Sequence, residues 1–422
     1  MHSSRSATTQ PGFPQFWAGE GLSQFGAQFT NLAMPVIAVN LLHATDSQMG
    51  YLNASTTIAF LVIGLLAGGL VDRWRKRRVM IASDLFRAAA ILAVPLMFWL
   101  GRPEIWHLYI IAGLIGFATV FFDVAYMSYI PVLVKDTMIG DANSKLEATA
   151  QVARLAGPGL AGMLLRIVNA PVLLVVNAAG FLASAAFLST IRDTEAPTPR
   201  SERGPLLDEI REGISFVWNT QFLRRMVMTL AISNFGSTMV FTLLPIIVLR
   251  ILGISPWWYG IISSIGAVGG VIGSLFAVRF ARRFGQGPTL VATVIVSGLT
   301  MSLLPLTLLA PSSWAIPLLI ATWFVMSFAA IMWNVIQVTA RQRLCPRPLL
   351  GRMNASIRFV VWGIMPISAL AAGWLGTVIG TVGAVWVGVA IASLSVLPIL
   401  LSPYARMREF PVRPSESSRQ PV

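Results

Sequence analysis

The chain has 422 residues, of which 55% are hydrophobic and 11% charged, and its mean hydropathy is +0.72. A soluble protein of this length carries roughly a quarter of its residues as charged ones, so the composition indicates a surface that faces lipid. The formal charge of +14 is not gathered on one face or tail, which argues against a nucleic-acid binder. One cysteine, Cys345, and three histidines predicted in the tail or in loops supply neither a disulfide framework nor a metal or haem site.

The apolar residues occur in runs long enough to cross a bilayer. The N-terminal stretch Met1–Gln15 is polar and lacks the apolar core of a cleaved signal peptide, so the first run is predicted to be a membrane span. A helix of about 20 apolar residues spans the hydrocarbon core. Twelve such runs follow in chain order: Phe16–Leu42, Met49–Val71, Val79–Leu100, Ile105–Pro131, Ser144–Ile167, Val172–Ile191, Phe222–Leu252, Trp257–Ala281, Pro288–Leu309, Trp314–Thr339, Ala355–Ile379 and Val382–Leu401.

Basic residues set the predicted orientation, because short cytoplasmic loops are enriched in Lys and Arg. With both termini in the cytoplasm, 25 of the 31 basic residues fall on the inner side. Three lie at outer ends and three within helices, and these are Arg102, Arg166, Arg250, Arg87, Arg154 and Arg358. The sequence therefore predicts a multi-pass protein of the inner or plasma membrane with both termini cytoplasmic.

Polar stretches divide the chain into five predicted segments. Residues 1–15 form a cytoplasmic tail, 16–191 a six-helix bundle, 192–221 a cytoplasmic linker, 222–402 a second six-helix bundle and 403–422 a second tail. Within the linker, Leu206–Trp218 has the pattern of an amphipathic helix at the membrane surface.

The two predicted bundles are internal repeats of each other. At an offset of 210, the Phe25-Gly26 pair matches Phe235-Gly236, and Pro35 matches Pro245. At an offset of 211, further positions match in equivalent helices and loops: Asp123 with Asn334, Gly140 with Gly351, Asn143 with Asn354 and Gly162 with Gly373. Parallel repeats of six helices, with a site between them near the midplane, are a known transporter design.

A glycine-rich and basic segment follows the second predicted helix, with the sequence GGLVDRWRKRR at residues 68–78. It resembles the cytoplasmic loop signature G-x-L-x-D-R-x-G-R-K of the major facilitator superfamily, with Arg75 in place of the usual glycine. The resemblance implies that Asp72 caps a helix of the other half, where free N–H groups and the dipole stabilise a carboxylate. Arg73 and Lys76 of the loop would pair with Asp123, an acid of the fourth helix. The resemblance thus implies a conformational latch of Asp72, Arg73, Lys76 and Asp123. The alternative interpretation is that the basic residues of the loop serve only to orient the chain in the membrane.

Other stretches narrow the resemblance. The fifth run contains GPGLAG at residues 157–162, which resembles the G-P-x-x-G-G signature of superfamily antiporters; its matching residues are Gly157, Pro158 and Gly162. Plain helix packing explains the same residues, because small side chains permit close approach and proline permits bending. Four further stretches resemble the enterobactin-exporter and macrolide-efflux-like branch of the superfamily: VMIASDLFRA at 79–88, VFFDVAY at 120–126, ANSKLE at 142–147 and GRMNA at 351–355. The resemblance extends from about Phe16 to Leu401. It implies efflux of drugs or siderophores that is driven by the proton-motive force.

Charged residues inside membrane helices are candidates for coupling, because each costs several kcal/mol unless it is paired or hydrated. Asp84 and Arg87 lie one turn apart and are predicted to form a local pair. Glu20 and Asp123 are candidates for proton binding, since burial favours an uncharged carboxyl group. Arg154 lies beside the Gly-Pro pair and is a candidate contact for an anionic substrate or a neighbouring acid.

Aromatic, Met and amide side chains in the fourth and tenth helices are candidates for a substrate cavity. Such walls tolerate large amphipathic ligands of varied shape. The candidate cavity residues are Phe121, Tyr126, Trp323, Trp333, Asn334 and Gln337.

Several function classes stay open at this stage. The lack of a G-x-x-x-x-G-K-[ST] phosphate loop argues against primary active transport. The sequence favours a monomeric exporter that handles a small molecule and protons in a lipid bilayer, with no cofactor or nucleic acid and no enzymatic activity. A proton symporter that imports a metabolite is the main alternative, and an intramembrane enzyme or a non-transporting sensor or scaffold represents a different class. The fourth-helix Arg of many superfamily antiporters is missing, since Ile105–Pro131 contains none.

Overall fold

The computed structural model describes residues 6–64, 66–71, 73–192, 206–346 and 349–411. All regular structure in these residues is helical, which confirms the predicted all-α fold. The α-helices are α1 (Phe13–Val36), α2 (Asp46–Ile63), α3 (Leu66–Val71), α4 (Lys76–Trp99), α5 (Ile105–Leu133), α6 (Ile139–Leu164), α7 (Ala170–Thr190), α8 (Leu206–Asn219), α9 (Gln221–Pro245), α10 (Pro256–Phe284), α11 (Gln286–Leu306), α12 (Ser312–Leu344), α13 (Leu350–Leu394) and α14 (Leu397–Leu400).

Within the described residues, eight helices are long and apolar enough to cross a membrane. One of them, α13, holds two of the predicted spans, and its helical run is broken at Gly380, where φ is +80°. That backbone region suits glycine because it has no Cβ. The remaining predicted spans correspond to α1, to α2 with α3, and to α6, so the fold has about twelve membrane helices.

Helix ends follow local sequence signals that recur in the repeat. The Thr45 side chain accepts from the Gln48 N–H while the Gln48 side chain accepts from the Thr45 N–H, which caps the start of α2. At the other end of the first span, α1 contains Pro35 and continues into a wide π-helical turn, Ile37–Leu41. The repeat copies this ending, because α9 ends at Pro245 and continues into a π-helical turn, Ile246–Ile251.

The chain divides into two compact units. The first comprises Met1–Glu202 with two later segments, Thr242–Ser264 and Ala369–Thr381. Those segments pack closely on α2 and α6: a Cβ added at Gly50 would lie 2.7 Å from the Ala369 carbonyl oxygen. The Thr381 hydroxyl also donates to both carboxylate oxygens of Asp46 at 2.9 Å. Small residues thus let these helices touch through their backbones.

The second unit comprises Arg203–Phe241, Ile265–Ser368 and Val382–Val422. Its core includes Phe222, whose ring centroid lies 4.9 Å from that of Phe410. The N–H of Phe410 also donates to the Gln286 side chain at 2.8 Å. The segment from Pro403 is the predicted second tail, and its described residues pack on this unit through Phe410, which is buried, and Tyr404, which is half-buried.

The N-terminal segment is likewise fixed to its unit. Ala7–Thr9 forms a 3₁₀ turn, and the Ala7 N–H donates to the Asp141 carboxylate at 2.7 Å. The Lys145 ammonium donates to the other oxygen of Asp141 at 2.6 Å. This ammonium first, and then the Ala7 N–H, hold the pKa of Asp141 below its usual range. The predicted N-terminal tail is therefore anchored, through this turn, to the start of α6.

Candidate functional site

A buried ion pair lies in the core of the first unit. Arg87 donates to Asp84 one turn away on α4, and the two residues are 5% and 0% exposed. The guanidinium carbon of Arg87 lies 4.2 Å from the ring centroid of Phe122 on α5 and 4.4 Å from that of Phe181 on α7. The cation is thus stacked between two aromatic rings, an arrangement that stabilises a desolvated guanidinium.

Glu20 on α1 is a second buried carboxyl group near this pair, at 6% exposed. The Gln24 amide donates to its Oε1 at 2.6 Å, whereas Oε2 is buried and has no hydrogen-bond partner among the described residues. Asp84, Arg87 and Asp123 lie close enough to act on it electrostatically. The structure therefore groups three acids and one cation from α1, α4 and α5, and two of the acids are the predicted proton-binding candidates.

The predicted aromatic cavity residues of α5 separate in the structure. Tyr126 is half-buried, and its ring stacks on Phe16 of α1 at 5.4 Å between centroids and on Phe122 at 6.3 Å. Phe121 faces elsewhere, since its ring lies 6.2 Å from that of Trp74 in the loop after α3. Tyr126 therefore packs beside the ionisable cluster, and Phe121 belongs to the loop region.

The basic loop borders a groove of about 690 Å³ at the start of α4. Arg73, Arg75 and Arg78 line it together with the rings of Phe86, Phe117 and Phe121. Lys76 starts α4 and is buried at 8% exposed, whereas Arg73 is exposed. Asp72, the residue with the clearest predicted capping role, lies outside the described residues.

The residues of the Gly-Pro motif lie at close helix contacts. A Cβ added at Gly157 would lie 2.6 Å from the Gln28 Cβ on α1, so α6 and α1 touch there. A Cβ at Gly162 would lie 2.9 Å from the Trp257 carbonyl oxygen at the start of α10. Pro158 lies within α6 between these two contacts. These positions fit the packing role that the sequence left open.

The two arginines that the sequence places within helices of the first unit differ in burial. Arg154, the candidate contact for an anionic substrate or a neighbouring acid, has an exposed side chain, whereas Arg87 is buried. The local spacing of Asp84 and Arg87 did predict their pair. Their aromatic partners come from α5 and α7, and no sequence signal assigns those two rings to one arginine.

The second unit holds a cavity of about 370 Å³ between α9, α11, α12 and the end of α13. Trp333 and Asn334, both predicted cavity residues, line it. Gln337 is 2% exposed and donates to the Asn334 side chain at 2.9 Å, so it positions a lining residue without lining the cavity itself. Trp323 does not line the cavity itself, but its ring lies 5.9 Å from that of Phe241, which does.

Within the described residues, no group of three His, Cys, Asp or Glu side chains is placed to hold a metal ion. The structure places buried acids beside the aromatic-stacked Arg87 in the first unit and a cavity with several hydroxyl groups in the second.

Comparisons with known proteins find a family model and relatives that are named for efflux. The family model of the Major Facilitator Superfamily matches residues 16–366. The chain is 28% identical over 342 residues to the multidrug efflux pump Tap of Mycolicibacterium fortuitum, covering 76% of this chain and 77% of that protein. It is 20% identical to macrolide efflux protein A of Streptococcus pyogenes, covering 87% and 90%.

Solved structures give the same fold at low identity. A bacterial homologue of the iron transporter ferroportin in an inward-facing state superposes with a TM-score of 0.73 at 15% identity, covering 93% of this chain and 98% of that chain. A D-xylose-proton symporter superposes with a TM-score of 0.69, also at 15% identity, covering 94% and 99%. These two similarities establish the twelve-helix architecture and carry no information on substrate.

Proposed function

The chain belongs to the Major Facilitator Superfamily, and from that premise we propose that it is a proton-coupled exporter of drugs, siderophores or similar amphipathic small molecules. It works by alternating access in the cell membrane, with both termini in the cytoplasm. The activities for which these relatives are named, multidrug and macrolide efflux, support the direction of transport.

The observation that carries proton coupling is the environment of Glu20. Its carboxyl group is buried in a membrane bundle, one oxygen has no partner among the described residues, and two further acids lie nearby. A carboxylate with an unsatisfied, buried oxygen is costly, and protonation removes most of that cost. Arg87 is already committed to Asp84 and to two rings, so it does not neutralise Glu20 by direct pairing.

This arrangement gives a simple coupling scheme. Glu20 takes up a proton from the outer side while the cluster is hydrated, keeps it while the cluster is closed to water, and releases it when a change in conformation hydrates the cluster from the cytoplasm. Asp123 on α5 is the neighbouring acid in this scheme. The loop residues Asp72, Arg73 and Lys76 are proposed to latch the conformation that precedes release.

Everted membrane vesicles test the proposal. They are energised, mixed with macrolides, siderophores or lipophilic cations, and followed with a pH-sensitive dye. Wild-type protein is expected to release protons when a transported compound is added, and Glu20→Gln is expected to lose that release, because glutamine cannot carry the proton.

Glu147→Gln is the matched control. Glu147 also accepts from a glutamine four residues later, Gln151, at 2.6 Å, but its side chain is exposed. Its replacement is expected to keep proton release within about twofold of wild type, because exposed substitutions perturb little. Full proton release by Glu20→Gln would refute the coupling role of this residue. Compound uptake by right-side-out vesicles down an inward proton gradient would indicate an importer instead.

A further inference from the structure

The two bundles bury equivalent helix positions, which allows their cores to be compared residue by residue. At the offset of 210, α4 and α11 both carry a proline near their ends, Pro95 and Pro305. The buried residues Met80, Ser83, Asp84, Ala88 and Ile91 correspond to Leu290, Thr293, Val294, Gly298 and Met301, which are also buried. Between α7 and α13 the offset is 211, and buried positions again coincide: Asn177, Phe181 and Ser184 with Gly388, Ala392 and Ser395.

This correspondence gives the second-unit equivalents of the buried ion pair. At 210, Asp84 and Arg87 become Val294 and Ser297, so both charges are lost. At 211, the ring of Phe122 becomes Trp333 and that of Phe181 becomes Ala392, so one aromatic wall is kept and the other is lost. All four second-unit residues line the 370 Å³ cavity: Val294, Ser297, Trp333 and Ala392.

The cavity therefore lies where the first unit holds its stacked guanidinium. Serine and alanine are much smaller than arginine and phenylalanine, and the space that those side chains fill in one bundle is open in the other. If this region served only for packing, side chains would fill a space of this size, because protein interiors leave few voids larger than a water molecule.

The lining offers hydrogen bonds without charge. None of the described residues that line the cavity is ionisable, and several carry hydroxyl or amide groups, among them Ser233, Ser237, Ser297, Ser327 and Asn334. Two buried donors have no partner among the described residues: the Thr229 hydroxyl, on a residue 0% exposed, and the Trp333 indole N–H, on a residue 8% exposed. Buried donors of this kind are costly unless they meet an acceptor.

We propose that this cavity binds an uncharged, oxygen-bearing part of the transported molecule, such as a hydroxyl, ether, ester or amide group on an apolar frame. The inference rests on the proposed function for the identity of the ligand as cargo. Trp333 and Thr229 donate to oxygen acceptors of the ligand, while Phe241, Met301 and Met326 contact its apolar surface. The volume lies within the range of small-molecule pockets.

The same chemistry rejects a charged group at this position. A cation or anion placed there would leave water without a counter-charge in the lining, which costs far more than the hydrogen bonds return. The two bundles thus divide the chemistry: the first handles protons and charge, and the second recognises neutral polar groups.

The test measures binding separately from transport. Purified protein in lipid nanodiscs, without a proton gradient, is titrated with chloramphenicol, an uncharged amphiphile that bears hydroxyl and amide oxygens, and with the permanent cation tetraphenylphosphonium. Trp333→Phe removes one donor and keeps an aromatic ring, and it is expected to weaken chloramphenicol binding about fivefold, the value of one net hydrogen bond. Ala392→Phe restores the ring of the first bundle and is expected to weaken it at least tenfold.

Trp386→Phe is the matched control, since Trp386 is 40% exposed and does not line the cavity. Its affinity for chloramphenicol is expected to equal that of wild type, and tetraphenylphosphonium binding is expected to be unchanged in all three variants. Melting temperatures within a few degrees of wild type identify the variants that are folded. If Ala392→Phe is not folded, Trp333→Phe alone suffices for the test. Wild-type affinity in Trp333→Phe, or no chloramphenicol binding by wild-type protein, would overturn the inference.

Glu20→Gln separates this inference from the proposed function. It is expected to lose proton-linked transport, and adding Trp333→Phe to it is expected to weaken chloramphenicol binding about fivefold relative to Glu20→Gln alone. Binding that depends on Trp333, together with no proton-linked transport by wild-type protein, would leave the neutral site standing and refute the exporter.

Discussion

Replacing Arg87 by glutamine tests the energetics of the first unit most directly. Asp84 is fully buried, and its ion pair with Arg87 is the only one that the described residues place in the core of this unit. The substitution removes the cation, the ion pair and two ring contacts, with centroid distances of 4.2 and 4.4 Å. Asp84 is left as a buried acid without its counter-charge.

The magnitude follows from these contacts. Breaking one side of a buried ion pair costs about 3–5 kcal/mol, because the remaining charge is uncompensated. A desolvated cation–π contact contributes about 2 kcal/mol, so the total loss in the free energy of unfolding is about 5 kcal/mol or more. At about 2–4 °C per kcal/mol for a unit of this size, the melting temperature is expected to fall by about 10–20 °C.

The assay is thermal unfolding of purified protein in one detergent, followed by intrinsic tryptophan fluorescence. The double variant Asp84→Asn/Arg87→Gln is expected to recover at least half of the loss, because a neutral amide pair leaves no buried charge. Arg102→Gln, at an exposed arginine of the same unit, is the control and is expected to melt as wild type does. A melting temperature of Arg87→Gln within about 2 °C of wild type, or a double variant that melts below the single one, would refute the reasoning.

Two further predictions concern contacts away from the charge cluster. Asp141→Asn is expected to speed hydrogen exchange at the Ala7 amide at pH 7, because the charged acceptor of that N–H is lost. The pKa of Asp141 is lower in the folded state than its unfolded value of about 3.9. The hydrogen bond from the Ala7 N–H is therefore fully present above about pH 3.9 and is lost only as the pH falls through the lower folded-state pKa. Loss of protection of the Ala7 amide between pH 7 and 5 would contradict this. Gly50→Ala is expected to cost about 1–3 kcal/mol by overpacking against the Ala369 carbonyl. Gly113→Ala, whose added Cβ has no neighbour nearer than 3.8 Å, is the control, and equal melting of the two variants would contradict the packing argument.

Local features of the sequence were sufficient to predict the membrane-spanning helices. Apolar length predicts a span without reference to any other helix, and basic loops predict orientation by the same local logic. The structure and the family confirm the fold and the efflux-transporter branch. The Asp84–Arg87 pair was also predictable, since three residues on a helix bring two side chains to one face.

The tertiary structure decided how those helices turn toward each other. Only the packed bundle places Phe122 and Phe181 on either side of Arg87, and only the packed bundle leaves the equivalent space around Trp333 open. A membrane helix is apolar on its lipid face as well as on its packed face, so its pattern does not reveal which face is buried. The sequence by itself therefore determined the number and order of the spans, and the packing of side chains from distant helices determined the charge cluster and the neutral cavity.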